Sequence, residues 1–254
     1  MDILTRLHNL PPSRFHYKLL GLVGIGWLFD AMDTGLVSFV LPALGKDWAL
    51  APAQLGWIVS IAFVGMALGA VFSGWLADRF GRKTVFAGTM VVYSIATGLC
   101  ALAPDLAVLL VCRFFVGVGL GGQLPVAVSL VSEYAPPKVR GRFIVLLESF
   151  WGLGWLSAAL VSYFFIPQTG WHSAFLFGAL PLFYVPLGLK FVPESVPYLL
   201  SRGKTNEAHR LVSVLEIQSG ITPPTQAVAV PVAPRERIRF VQLWQHPFAR
   251  RTLM

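Results

Sequence analysis

Three ionisable residues lie inside runs that are otherwise apolar: Asp30 and Asp33 in Phe29-Asp30-Ala31-Met32-Asp33-Thr34, and Arg113 just after Val111-Cys112. Three residues apart on a helix, the two carboxylates share a face. Held that close in a low dielectric they compete for negative charge, so the pair is suited to taking up and releasing a proton. Arg113 offers a guanidinium that can pair with either acid, or with the carboxylate of a small anion. Gln123, in Gly122-Gln123-Leu124-Pro125, and Glu148, in Leu147-Glu148-Ser149-Phe150-Trp151, add an amide and a third acid within apolar stretches. Plainer readings stand beside these. Asp30 and Asp33 could serve only to tie helices together, and Arg113 could snorkel to headgroups. Glu148 could bind substrate, relay a proton or join a charge cluster at the inner face, and the residues alone leave these open.

Only membrane-spanning helices can position such a set. Apolar residues make up 56% of the 254-residue chain and charged residues 13%, with a mean hydropathy of +0.67, more than a soluble domain can hide. Six apolar spans can be marked, at 17–44, 53–77, 84–103, 106–132, 143–166 and 172–192. Each holds about 20 residues or more, enough to cross about 30 Å of hydrocarbon. With the N-terminus inside, the inner segments carry Arg6, Arg14 and Lys18, then Arg79, Arg82 and Lys83, then Lys138, Arg140 and Arg142, against Lys46 alone in the outer loops. The positive-inside rule therefore predicts an even-numbered bundle in the cell membrane with both ends cytoplasmic. The net charge of +8 is a topology signal, and no nucleic-acid partner is expected. The first apolar run is too long for a signal-peptide core and lacks a clear cleavage site, so the N-terminus is expected to be retained. Cys100 and Cys112 sit at no metal or redox spacing and read as packing residues. No metal-spaced His or Cys set, phosphate-cradling loop or nucleophile with its base occurs, so no metal, cofactor or enzymatic activity is expected.

The spans also set the heights of the charges. Arg113 lies about seven residues from the outer end of the fourth span, on the order of 10 Å below that face at about 1.5 Å per residue. Asp30 and Asp33 lie about 12 and 15 residues from the inner start of the first, or roughly 18 to 22 Å up. All three then share one level, so a buried carboxylate–guanidinium pair is geometrically available.

Charge returns at the turns. Gly74-Trp75-Leu76-Ala77-Asp78-Arg79-Phe80-Gly81-Arg82-Lys83 makes a tight basic turn between the second and third spans, with an acid ahead of the bases and Gly81 for the bend. After the fourth span comes Glu133-Tyr134-Ala135-Pro136-Pro137-Lys138-Val139-Arg140-Gly141-Arg142, and after the sixth Pro193-Glu194-Ser195-Val196-Pro197-Tyr198. Thr205 can cap a short amphipathic helix with Ala208, Leu211, Val212 and Leu215 on one face. A Pro-rich linker follows, then Arg235, Arg237 and Arg239 interleaved with Ile238, Phe240, Leu243 and Trp244, a pattern suited to a helix on the inner membrane surface.

The order Gly-x-x-x-Asp-Arg-x-Gly-Arg-Lys at 74–83 resembles the signature between the second and third helices of major facilitator superfamily transporters. Arg113 with Gly117 and Gly119 resembles the Arg-x-x-x-Gly-x-Gly run of its proton-coupled members. The Glu133, Arg140, Arg142 and Glu194 elements resemble the inner-face charges of the sugar-porter-like branch, although an Arg and a Trp of that pattern are replaced by Pro197-Tyr198 after an inserted-looking Val196. The stretches around Asp30-Ala31-Met32-Asp33, Gln123 and Glu148 are similar to the branch of niacin carriers, aromatic-acid proton symporters and synaptic-vesicle-related transporters. The resemblance implies an all-α membrane protein, the six-transmembrane-helix N-terminal bundle of a twelve-helix fold. Residues 1–16 would be a cytoplasmic N-terminus, 17–192 the bundle, 193–249 a central cytoplasmic loop with amphipathic helices, and 250–254 the start of a seventh helix. It implies alternating access, with a small organic acid such as nicotinate and protons as partners, and Asp30, Asp33, Arg113, Gln123 and Glu148 on the translocation path. Gly74, Asp78, Arg79, Gly81, Arg82, Lys83, Glu133, Arg140, Arg142 and Glu194 would form the cytoplasmic gate. The partner half would be a C-terminal six-helix bundle or a second copy. A sugar porter, and a truncated non-transporting fragment, are the rival readings.

Overall fold

A computed structural model describes residues 3–222. The expected surface helix around Arg235 to Trp244 and the start of a seventh helix at 250–254 lie outside the described residues. Ten helices follow in order: α1 (Ile3–His8), α2 (Arg14–Asp47), α3 (Pro52–Phe80), α4 (Arg82–Cys100), α5 (Leu106–Tyr134), α6 (Arg140–Thr169), α7 (Trp171–Gly178), α8 (Pro181–Phe191), α9 (Val196–Ser201) and α10 (Thr205–Gln218). Among the described residues, six spans are long and apolar enough to cross a membrane: α2 to α6, and α7 with α8 together.

The sixth span was expected to be continuous and is not. Leu180 bonds back to Phe177 at 3.1 Å and Ala179 to Leu176 at 3.1 Å, tighter turns than an α-helix makes. Pro181 has no N–H to donate to the carbonyl of Phe177, four residues back, so the ladder breaks there.

The spans pair crosswise. The most extensive contacts are α3 with α5, α2 with α6, and α4 with α5. If the bundle is divided into α2–α3–α4 and α5–α6–(α7, α8), the middle helix of each unit packs on the first helix of the other. Across α3 and α5 the backbones touch. A Cβ on Gly65 or Gly69 would run into the carbonyls of Phe114 or Val118, and one on Gly117 or Gly121 into those of Ala62 or Met66. Both pairs have the small-x-x-x-small spacing that lets membrane helices approach this closely.

The end of the bundle that carries the charged turns is roofed by α1, α9 and α10. Residues 1–16 carried no structural expectation, yet α1 forms and buries Ile3 and Leu7, followed by Leu10. Its Arg6 donates to both carboxylate oxygens of Glu216 on α10, at 2.9 and 2.6 Å, and to Ser213 at 3.2 Å. That bond with Glu216 raises the Arg6 pKa and so fixes its charge. On α10, Ala208, Val212 and Leu215 are buried and Leu211 is half-buried on the expected face. Thr205 does not cap it, because the N-cap position falls on Lys204 and no side-chain cap bond is made. Substituting Arg6→Ala would strand the Glu216 carboxylate, a loss of about 3 kcal/mol or more for a buried pair. Hydrogen exchange in α1 and α10 is expected to speed up at least tenfold, with the six spans unaffected.

Candidate functional site

Asp33, Arg113 and Thr97 meet in the middle of the bundle. Arg113 Nη2 lies 3.6 Å from Asp33 Oδ2, with both side chains 2% exposed or less. The other oxygen, Oδ1, accepts a 2.7 Å bond from the Thr97 hydroxyl on α4. Phe175 on α7 covers the guanidinium, its ring centroid 5.6 Å from Cζ. Gly178, the last residue of α7, closes the pocket from the side: a Cβ there would stand 2.5 Å from Thr97 Cγ2 and 2.9 Å from Asp33 Oδ1. The break in the sixth span therefore abuts the ion pair.

Around this pair lies a set of buried polar atoms with no hydrogen-bond partner among the described residues. It includes Asp30 Oδ1, the Tyr93 hydroxyl, and Arg113 Nε and Nη1; both amide atoms of Gln123 are also without partners, but Gln123 lies about 15 Å further along α5 from Arg113. Buried polar groups are nearly always bonded, and each exception carries a cost of about 1–3 kcal/mol.

Of the residues singled out in the sequence, Asp30, Asp33, Arg113 and Gln123 are all buried inside the bundle. Glu148 is not among them. It stands exposed on α6 beside Ser149 and Gly152, on the side of that helix away from the core. Thr97 and Tyr93 were missed, since one hydroxyl in an apolar helix looks like any packing residue.

A second constellation forms at the charged end. Arg82 reaches Asp78 at 2.8 Å and Glu133 at 3.5 Å, and donates to the Ala77 carbonyl at 3.1 Å. Glu194 accepts from the Lys83 backbone N–H at 3.2 Å, placing a carboxylate on the first turn of α4, where the helix dipole favours it. It also accepts from its neighbour Ser195 at 2.9 Å, and Ser195 in turn caps α9 by accepting from Tyr198. Arg202, five residues beyond Pro197, donates to the Arg79 carbonyl. The Arg79 side chain lies over Trp75 and Phe80 instead. Arg140 and Arg142 form no ion pair with the first charged turn among the described residues; Arg140 lies close enough to His8 to help burial lower that imidazole's pKa. Gly74 faces open space.

Gly81 makes the bend with φ +96°. A Cβ there would meet the Glu194 carboxylate and stand 3.0 Å from Tyr198 Cε1. Gly81→Ala is expected to cost about 1–3 kcal/mol in backbone strain alone, lowering the unfolding midpoint by several degrees in a thermal melt in detergent.

Residues 31–252 match the family described as sugar (and other) transporter. The chain belongs to that family. Within the family it is 63% identical over its whole length to the niacin transporter NiaP of Acinetobacter baylyi, covering 58% of that protein. It is 35% identical to the 4-hydroxybenzoate transporter PcaK of the same organism, over 94% of this chain and 51% of that one. Among solved structures, the major facilitator superfamily proton:xylose symporter XylE superimposes with a TM-score of 0.72 at 22% identity, over 79% of this chain and 50% of the other. The fold is thus the six-helix half of a major facilitator superfamily transporter, and the protein crosses the membrane several times. The chain spans about half the length of the curated relatives it matches.

Proposed function

We propose that this bundle is the N-terminal half of a proton-coupled carrier of a small organic acid, with niacin the first candidate. It sits in the cell membrane with its N-terminus in the cytoplasm and works by alternating access opposite a second six-helix bundle. The observation that carries this reading is the Asp33–Arg113 pair, 3.6 Å apart, among buried polar atoms without partners of their own. A buried ion pair is weak evidence for stability. It is better understood as a switch.

Thr97 holds Oδ1 of Asp33, so Oδ2, which faces Arg113, is the oxygen free to take the proton. Protonation there ends the attraction to Arg113 and leaves the guanidinium to the neighbouring polar groups. With Arg113 this deeply buried, its partner is Asp33, and the substrate anion meets other groups first. Glu148, on the exposed side of α6, belongs to the surface that faces the second bundle. Asp78 and Gly74, exposed at the charged end, latch against that bundle when the inner side is closed. The relatives support an aromatic or heteroaromatic acid, because their names specify niacin and 4-hydroxybenzoate. Radiolabelled nicotinate, benzoate and a hexose, offered to proteoliposomes of the two-bundle carrier under an inward proton gradient, test the reading. Accumulation of nicotinate supports it; accumulation of hexose alone would make the protein a sugar porter, and no uptake of any would leave a non-transporting membrane protein.

A further inference from the structure

A cavity of about 540 Å³ opens at the charged end of the bundle, between the first turns of α2, the end of α8 and one face of α10. It has the volume of a small-molecule site, about 300–1,000 Å³, and takes no part in the ion-pair site. Its walls are graded. Along α2, Arg14, Lys18 and Leu22 follow one another at intervals of four residues on one face, about 6 Å apart in height. Charge therefore lies at the helix end and hydrocarbon one step further into the span. Opposite, Arg210 and Val214 of α10 repeat the order, and Phe191 at the end of α8 closes the third side. Lys18 Nζ stands 4.9 Å from the Phe191 ring centroid, which draws the ammonium to the mouth of the cleft.

Three bases thus face one acid, Glu207, and that acid is paired with Lys204 at 3.3 Å. Arg14, Lys18 and Arg210 form no ion pair among the described residues, and all three are exposed. The rest of this chain is a poor occupant by charge, since residues 223–254 carry Arg235, Arg237, Arg239, Arg250 and Arg251 against Glu236 alone. The Arg6–Glu216 pair ties α10, one wall of the cleft, to α1.

We infer that this cleft binds the headgroup of an anionic phospholipid, its phosphate among Arg14, Lys18 and Arg210 and its glycerol and upper acyl chain against Leu22, Phe191 and Val214. Basic clefts at a membrane's cytoplasmic side are suited to such lipids, and here the basic rim and the apolar depth coincide in one cavity.

The test uses the purified full chain in maltoside detergent, incubated with phosphatidylglycerol or phosphatidylcholine, with retained lipid per chain read by native mass spectrometry. Phosphatidylglycerol should be retained at least tenfold more than phosphatidylcholine and should raise the unfolding midpoint. The triple variant Arg14→Gln, Lys18→Gln, Arg210→Gln should lose that tenfold preference with its helical circular dichroism unchanged. Should the triple variant not fold, Arg210→Glu alone should reduce phosphatidylglycerol retention at least threefold. Equal retention of the two lipids, or undiminished retention by Arg210→Glu, would overturn the proposal. So would displacement of the lipid by an equal concentration of glycerol phosphate, which would assign the cleft to a soluble phosphate.

Discussion

Replacing Asp33 by Asn is expected to abolish proton-driven uptake by the two-bundle carrier while leaving substrate exchange at equal pH on both sides. The amide cannot take up the proton at Oδ2, and it leaves Arg113 charged and without its counterion in a site that is 2% exposed or less. Removing one member of a buried pair costs about 3–5 kcal/mol, so the variant should also melt earlier. Asp33→Asn combined with Arg113→Gln removes both charges and should recover much of that stability, because residues in contact are not additive. It should not recover proton coupling. Initial rates of nicotinate uptake, measured across external pH with and without an imposed gradient, separate the two effects. A pH profile for Asp33→Asn that overlays the parent's would remove Asp33 from the proton path.

The second large effect concerns packing. Gly121→Val should destabilise the bundle by about 3 kcal/mol or more, the upper range for overpacking, because the new side chain meets the Met66 carbonyl, and a backbone atom cannot swing away as a side chain can. Relief requires α3 and α5 to separate, which would break the neighbouring contacts at Gly65, Gly69 and Gly117 as well. Gly152→Ala and Gly56→Ala provide the comparison, since a Cβ at either position meets nothing within 4 Å. They should melt with the parent. Gly74→Ala belongs with them in stability, so any transport defect it causes would have to arise at the second bundle. Thermal unfolding in one detergent, followed by intrinsic tryptophan fluorescence, ranks all four.

The six spans were legible because the membrane writes them as long apolar runs, and their helices end within a few residues of the expected limits, apart from the broken sixth. The level of Asp33 and Arg113 was legible too, since rise per residue converts sequence distance into height. Which partners surround them was not. Thr97 is one of several hydroxyls in α4, and only the fold tells the one bonded to Asp33 from Ser94, whose oxygen has no partner among the described residues. Gln123 and Glu148 both stand out as polar residues in apolar stretches, but that says nothing of direction: one is fully buried and the other faces outward. At the charged turns the residue types were legible and the pairings only in part. Glu133 reaches Arg82, whereas the contact of Arg202 with the Arg79 carbonyl is one that no spacing rule singled out. The Arg6–Glu216 clasp joins residues 210 apart in sequence, beyond any local pattern.

The crosswise pairing of the spans has a mechanical consequence. Because each three-helix unit lends its middle member to the other, no line can be drawn between the third and fourth spans without tearing both crossed pairs. At the α3–α5 seam main chain rests on main chain at Gly65, Gly69, Gly117 and Gly121, and at the α2–α6 seam it does so at Gly154, so neither has a flexible side chain at those points to take up a shift. Any tilt that kept these packed seams intact would carry the two three-helix units together.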